Sequence, residues 1–373
     1  MKGDRVLGLD VIRAFAIFSV LIIHTLDLTT TGLNRYIQYV KFDGVIYFFV
    51  LSGFLIGNIL INSLEKSITF STILNFWLRR WFRTLPNYLL FLVILIFVFG
   101  EYKLRVFKYL FFVQNFYKPI PNFFQESWSL TIEEWFYLLL PIVIYILNKV
   151  FKWRVKISIL FVLILVIILT PVIRYYICVY YNVNDFLSWE YFIRGIAICR
   201  FDSIIFGVLG AFVSYYCLPL WISNRKLLFY LGFSGLLIFK VLEVNCIQFF
   251  FNGQLAYFMS VFYLSIQSLL ILLMLPFLST FNVSRDNIVT RVIKRMSLIS
   301  YSVYLVNYSL VKGFILVYVE AFLKEYIQTT YLEMILVFLF WIISISSSIL
   351  IYNCFELPVM KLRDRFSISE LHK

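Results

Sequence analysis

Charge is what this sequence has least of. Only 14% of its 373 residues are Asp, Glu, Lys or Arg, while 62% are apolar and 20% aromatic. Soluble domains are about a quarter charged and about half apolar, so a water-soluble globular fold is excluded. Histidine is scarcer still, with two residues, His24 and His372. The five cysteines, Cys178, Cys199, Cys217, Cys246 and Cys354, are scattered, without a CxxC or a His–Cys cluster. That pattern gives neither a disulfide framework nor a zinc site, and no metal is expected. Alternation of period two is missing, which excludes a membrane β-barrel. There is no fixed-period repeat, and the longest connection, 101–127, is too short for a separate soluble domain.

What fills the chain instead is long apolar runs. Ten of them are read as spans, at 7–27, 44–62, 85–100, 129–148, 157–178, 203–222, 227–244, 255–279, 298–319 and 332–353. Runs of about 18 or more apolar residues predict transmembrane helices. The expected fold is therefore all-α, a polytopic integral membrane protein of one domain, residues 1–373. The net charge of +13 is not read as a nucleic-acid signature. Most basic residues fall in one alternating set of loops, including Lys2, Arg79, Arg80, Arg83, Lys149, Lys152, Arg225, Lys226, Arg291, Lys294, Arg295 and Arg365. The positive-inside rule makes that set cytoplasmic, with both termini inside, and basic loops also meet anionic headgroups. The first run, with Arg13 inside it and no small-residue cleavage site after Leu26, reads as a retained anchor rather than a signal peptide.

That first run, LGLDVIRAFAIFSVLIIHTL, carries Asp10, Arg13 and His24. A charge inside a span costs a few kcal/mol and usually faces protein or a water-filled cavity. Arg13 and His24 are eleven positions apart, which puts both on one helix face, about 16 Å apart along the axis. His24 is the candidate for acid–base chemistry near neutral pH. The plain alternative is a polar residue at a helix end.

Four further stretches carry polar chemistry. FFVLSGFLIG places Ser52, Gly53 and Gly57 in the second span, which suits close helix packing. RRWFRTLP, ahead of the third span, brings Arg80 and Arg83 onto one helix face. The pair is either a positive-inside anchor or a site for a phosphorylated coenzyme. SWSLTIEEWFYLLLP carries Glu133 and Glu134 into a span. Neighbours on a helix point about 100° apart, so at most one of the two faces a given pocket. They are read either as charges at a helix N-terminus capped by Ser129 or Thr131, or as site carboxylates with Trp128 beside them for sugar stacking. Arg200 and Asp202 open the sixth span, and Tyr304 and Asn307 lie in the hydroxyl-rich ISYSVYLVN of the ninth. Arg200 and Asp202 are read either as an interfacial pair or as residues of the same pocket as His24, and the hydroxyl-rich span either bonds to neighbouring helices or faces a polar cavity.

Taken together and in this order, LDVIRAFAIFSVLIIH, FFVLSGFLIG, RRWFRTLP, SWSLTIEEWFYLLLP, RFDSIIFGVLGA, ISYSVYLVN and FELPVMKLR resemble the acyltransferase family 3 membrane proteins, from Leu9 to about Arg363. That family includes O-acetyltransferases of bacterial surface polysaccharides. The resemblance implies a ten-helix fold in the bacterial cytoplasmic (inner) membrane, a cytoplasmic acyl-CoA donor, usually acetyl-CoA, and an acceptor hydroxyl, typically on a lipid-linked or exported glycan. It implies active-site roles for His24, Arg13 and Glu133 or Glu134, and coenzyme contacts for Arg80 and Arg83. Trp128, Arg200, Asp202, Tyr304 and Asn307 are the candidates for acceptor binding. Asn307 stands where relatives often have histidine. The competing reading is a transporter or flippase for a lipid-linked glycan, which also needs many spans, aromatic residues and buried charges.

Overall fold

The structure, a computed structural model, describes residues 5–29, 38–100, 106–120, 123–251, 254–283 and 287–362. Lys2, Arg363, Arg365 and His372 lie outside them. Among the described residues the fold is helical throughout, without a strand. Ten principal helices follow the ten apolar runs: α1 Leu7–Leu26, α2 Gly44–Lys66, α3 Phe70–Phe99, α4 Ser127–Phe151, α5 Val155–Tyr180, α6 Phe201–Tyr216, α7 Arg225–Phe251, α8 Gln254–Leu278, α9 Ile288–Leu323 and α10 Thr329–Leu362. Nine of them are long and apolar enough to cross a bilayer. The exception is α6, where a full span was expected. It has 16 residues and stops at Cys217, and Pro219 then starts the separate short helix Leu218–Ser223. Proline lacks the N–H that a continuing helix needs but suits a first turn.

The third span was expected to begin at residue 85, after the arginines. The helix begins fifteen residues earlier, where the Thr69 hydroxyl accepts a hydrogen bond from Thr72 N at 3.2 Å. Pro86 lies within it without ending it. Arg79, Arg80 and Arg83 are therefore helical and not loop residues, with Arg80 partly buried and Arg79 and Arg83 exposed. Similarly, α4 starts at Ser127 with Glu126 in the cap position, so neither Ser129 nor Thr131 caps it. Glu133 and Glu134 sit in its second turn, past the reach of the helix-end dipole.

The centre of the molecule is α2, the most buried of the spans. It packs on α6 through the small residues of FFVLSGFLIG. A methyl group on Gly53 would lie 2.1 Å from Ile204 O, and one on Gly207 would lie 2.1 Å from Val50 O. The reading of this motif as a packing surface holds, because the two backbones touch where any side chain would stand. Overpacking a close contact costs about 1–3 kcal/mol. Gly53→Ala is expected to lose that much in thermal unfolding of the protein in nanodiscs, and an unchanged midpoint would refute the contact.

The α1 helix packs between α2 and α9. Its first charge is consumed there. Asp10 accepts from Arg5 at 2.5 and 2.7 Å and from Ser297 of α9 at 2.6 Å. Asp10 thus ties two spans together, and the other two charges of α1 are left facing internal space. The α5, α7 and α10 helices bury the least of their surface and form the lipid face.

Candidate active site

Two cavities lie along α1. The narrower, about 140 Å³, is lined by Arg13, Ser52, Arg80, Arg83, Glu133 and Tyr301. Arg80 donates to Glu133 Oε2 at 2.6 Å, and its guanidinium carbon stands 4.3 Å from the centre of the Tyr137 ring. The Tyr137 hydroxyl in turn meets Ser52 Oγ at 2.5 Å. Three guanidinium groups against one carboxylate leave this space positive. Guanidinium forks match phosphate and carboxylate oxygens in pairs, so the chamber suits an anion. Glu134, one residue further round the helix, lines neither cavity. It accepts from Thr84 Oγ1 at 2.9 Å between α3 and α4. Of the two carboxylates that enter this span, one faces the chamber and the other braces its wall.

The wider cavity, about 840 Å³, contains His24, Asp43, Glu126, Trp128, Arg194 and Tyr308 in its lining. Val45 and Tyr304 line both cavities, so the two chambers abut at these residues. His24 Nδ1 is hydrogen-bonded to Asn307 Oδ1. The Asn307 amide group is already committed, donating to Val303 O at 2.8 Å and Tyr304 O at 2.9 Å. Its oxygen must then accept, which makes Nδ1 the protonated nitrogen of His24 and leaves Nε2 with a lone pair. Asn307, fully buried, positions the histidine instead of meeting a substrate. It opens a π-helical stretch of α9, Asn307–Ile315. Such wide turns inside α-helices are often found at functional sites.

The same π-helical stretch holds Glu126. The Ser309 hydroxyl donates to Glu126 Oε2, and Ser309 N donates to Oε1 at 3.3 Å. Burial pushes the Glu126 carboxyl up to about 7, and the Ser309 hydrogen bonds pull against that rise. Tyr304 donates to Glu126 O at 3.0 Å and meets Ser129 Oγ at 2.7 Å, which fixes the ring between the chambers. Asp43 caps α2, accepting from Val45 N at 3.1 Å, and pairs with Arg194 at 3.1 Å. Burial opposes its charge, but Arg194 and Arg200 hold the Asp43 carboxyl below its usual value.

Arg200 is fully buried behind the wide cavity, its guanidinium 5.2 Å from the Trp128 ring centre and 5.4 Å from that of Phe49. It reaches the chamber only through Trp128, which lines it. Asp202 is not there. It is fully buried between helices, bonded to Arg174 Nη2 at 2.5 Å and to Ser265 Oγ at 2.5 Å. Arg200 precedes α6 while Asp202 lies in its first turn, and the bonds of Asp202 to Arg174 and Ser265 make it a tie between α5, α6 and α8.

Residues 6–353 match the family model described as an acyltransferase domain, acyltransferase family 3. The chain belongs to acyltransferase family 3. Among curated proteins it is similar to O-acetyltransferase OatA of Staphylococcus aureus (strain NCTC 8325), 34% identical over 178 residues, which are 43% of this chain and 28% of that protein. It is also similar to a provisionally named O-acetyltransferase, SACOL0978 of S. aureus (strain COL), 29% identical over 228 residues, 55% of this chain and 34% of that protein. The chain thus spans about a third or less of the relatives it matches. No solved structure matches it.

For an acyltransferase family 3 fold, the residues that sequence reading missed are Asp43, Glu126, Glu190 and Arg194. Glu126 immediately precedes the SWSL stretch, but it stands ahead of the apolar run and attracts no notice there. Asp43 has a signal, an acidic residue just before an apolar run, which marks a helix cap and not a cavity.

Proposed function

We propose that this family member is a membrane O-acyltransferase that moves an acyl group, acetyl from acetyl-CoA, onto a hydroxyl of a lipid-linked or surface glycan. The observation that carries this reading is the pair of abutting chambers, one lined by Arg13, Arg80 and Arg83 and the other by His24, whose Nε2 has no hydrogen-bond partner among the described residues. A chamber of 140 Å³ is too small for a nucleotide. It suits the thin pantetheine arm of a coenzyme, with the phosphates at the arginine mouth and the thioester near Tyr304. In this reading the arginine side faces the cytoplasm of a bacterial inner membrane, as do both termini, in keeping with the loop charges.

The chemistry follows from the histidine tautomer. Nε2 of His24 takes the proton of the acceptor hydroxyl as its oxygen attacks the thioester carbonyl. The C–O bond forms, the C–S bond breaks, and the coenzyme thiolate receives the proton from the imidazolium. Asn307 holds the ring in place through both proton transfers. Donor and acceptor never share a chamber, which limits hydrolysis of the thioester. A glycan flippase, suggested by spans and aromatic residues alone, gains nothing from the family match.

Calorimetric titration with acetyl-CoA tests the donor side. A hydrogen bond to a charged group contributes about 1.5–3 kcal/mol, or about 10- to 100-fold in affinity. Arg13→Gln is expected to weaken acetyl-CoA binding by that factor. Absence of acetyl-CoA binding to the native protein would overturn the proposal.

A further inference from the structure

Arg200 is buried with none of its donors met. It is fully enclosed, and its Nε, Nη1 and Nη2 have no hydrogen-bond partner among the described residues. The carboxylates around it are engaged elsewhere. Asp43 is held by Arg194 and by Val45 N, and Asp202 by Arg174 and Ser265. A guanidinium keeps its charge at any physiological pH. A buried charge without a partner lowers stability, and buried donors left unmet call for a reason.

What Arg200 touches is the wall between the two chambers. Its guanidinium carbon lies over the Trp128 ring at 5.2 Å and over the Phe49 ring at 5.4 Å, and those two rings meet edge to face at 6.1 Å. Trp128 lines the wide chamber and Phe49 the narrow one, while Arg200 lines neither. The charge therefore stands behind the partition, against both rings. Aromatic faces attract a cation but leave its N–H groups without a conventional acceptor. Resting on the acyl-transfer reading above, we propose that Arg200 is a fixed positive charge that lowers the barrier to acyl transfer through the Phe49–Trp128 wall, without touching donor or acceptor.

The group it serves is the carbonyl oxygen of the thioester. As the acceptor oxygen bonds to the carbonyl carbon, the π pair of the C=O moves onto that oxygen. The charge is lost again when the C=O re-forms and the thiolate leaves. A cation already in place favours the charged oxygen over the neutral one, and so favours the transition state over bound substrate. The Tyr304 hydroxyl, at the junction of the chambers, is not free for this task, being engaged by Glu126 O and Ser129. Arg194 also lies over Trp128, at 5.0 Å, but it is paired with Asp43 and Glu190. The 5.2 Å from Arg200 to the Trp128 ring centre, plus about 4 Å of contact on the far face, places the charge about 9 Å from the reacting oxygen. At an effective dielectric constant of about 20, a unit charge at that distance is worth about 20-fold in rate.

The test compares the native full chain with Arg200→Met and Arg200→Lys in nanodiscs. Turnover is read as thiol released from acetyl-CoA with maltotetraose as the acceptor probe, and stability as the midpoint of thermal unfolding. Arg200→Met is expected to lower kcat about 20-fold and to leave both KM values unchanged. It is also expected to unfold at a higher temperature, because it removes an unpaired buried charge. Arg200→Lys keeps the charge and is expected to keep kcat within about threefold of native. A native kcat in Arg200→Met overturns this inference. So does an equal loss in Arg200→Lys, which would make the shape of the side chain the cause and not its charge. A lower midpoint for Arg200→Met, or failure to fold, would make Arg200 a structural group that holds water or an ion in the wall, and overturns it as well. Each of these results leaves acyl transfer standing. Failure of the native protein to bind acetyl-CoA, or to release its thiol, overturns both.

Discussion

Replacing His24 by alanine is expected to lower acyl transfer by about a thousandfold, the middle of the range for loss of a general base. The magnitude follows from the site having no substitute. Among the described residues there is no second histidine, and Asn307 spends both ends of its amide on holding His24 and the helix backbone. Glu126 lies in the same chamber but is engaged by Ser309. Binding of acetyl-CoA is expected to survive, because Arg13 lies about 16 Å away along the helix. Asn307→Leu is expected to do less harm, since it frees the ring without removing it. If His24→Ala transfers acetyl at the native rate, His24 is a helix-end residue and the mechanism fails. Trapping of a labelled acyl-enzyme on the native protein but not on His24→Ala would replace the base mechanism with an acyl-histidine relay.

The second large effect is on stability. Arg174→Met is expected to destabilise the protein by about 3–5 kcal/mol, because it strips the partner from a buried carboxylate. Arg174 and Asp202 have side-chain exposures of 0% and 1%. Arg174 also donates to Cys199 O at 2.6 Å and to Val261 O at 2.7 Å, joining α5 to α8 and to the segment before α6. The double variant Arg174→Met, Asp202→Leu is expected to recover much of the loss, since replacing a whole buried pair by apolar groups is often neutral. Thermal unfolding in nanodiscs reads both. A single variant as stable as the native protein would mean that the pair is not carrying the contact between these helices.

Those two residues also show where sequence reading ends. A charge inside an apolar run announces itself, and so Arg13, His24 and Glu133 were legible as charges within spans, whereas Arg80 was read as a loop residue ahead of the third span. Which partner each charge has was not legible, because partners come from other helices. Asp202 looked like a companion of Arg200, two residues away, yet its partner is Arg174, a whole helix earlier in the chain. Asp10 looked equivalent to Arg13, and it proved to be a tie to Ser297. The span count was nearly right for a related reason. Apolar runs identify helices by length, but they do not show that α6 is cut short at Cys217, or that α3 starts well ahead of its most apolar part. The tautomer of His24 was out of reach altogether. It depends on a π-helical turn whose register no hydrophobic pattern encodes. The family, by contrast, was legible from the ordered motifs, and the match over residues 6–353 agrees.

The central claim is that donor and acceptor enter from opposite ends and meet beside Tyr304. Proteoliposomes test it most directly, with acetyl-CoA outside and a neutral oligosaccharide sealed inside. The account predicts acetylated sugar in the lumen, dependent on His24. Acetylation only when donor and acceptor are present on the same face, or none in the lumen while acetyl-CoA still binds, would contradict it.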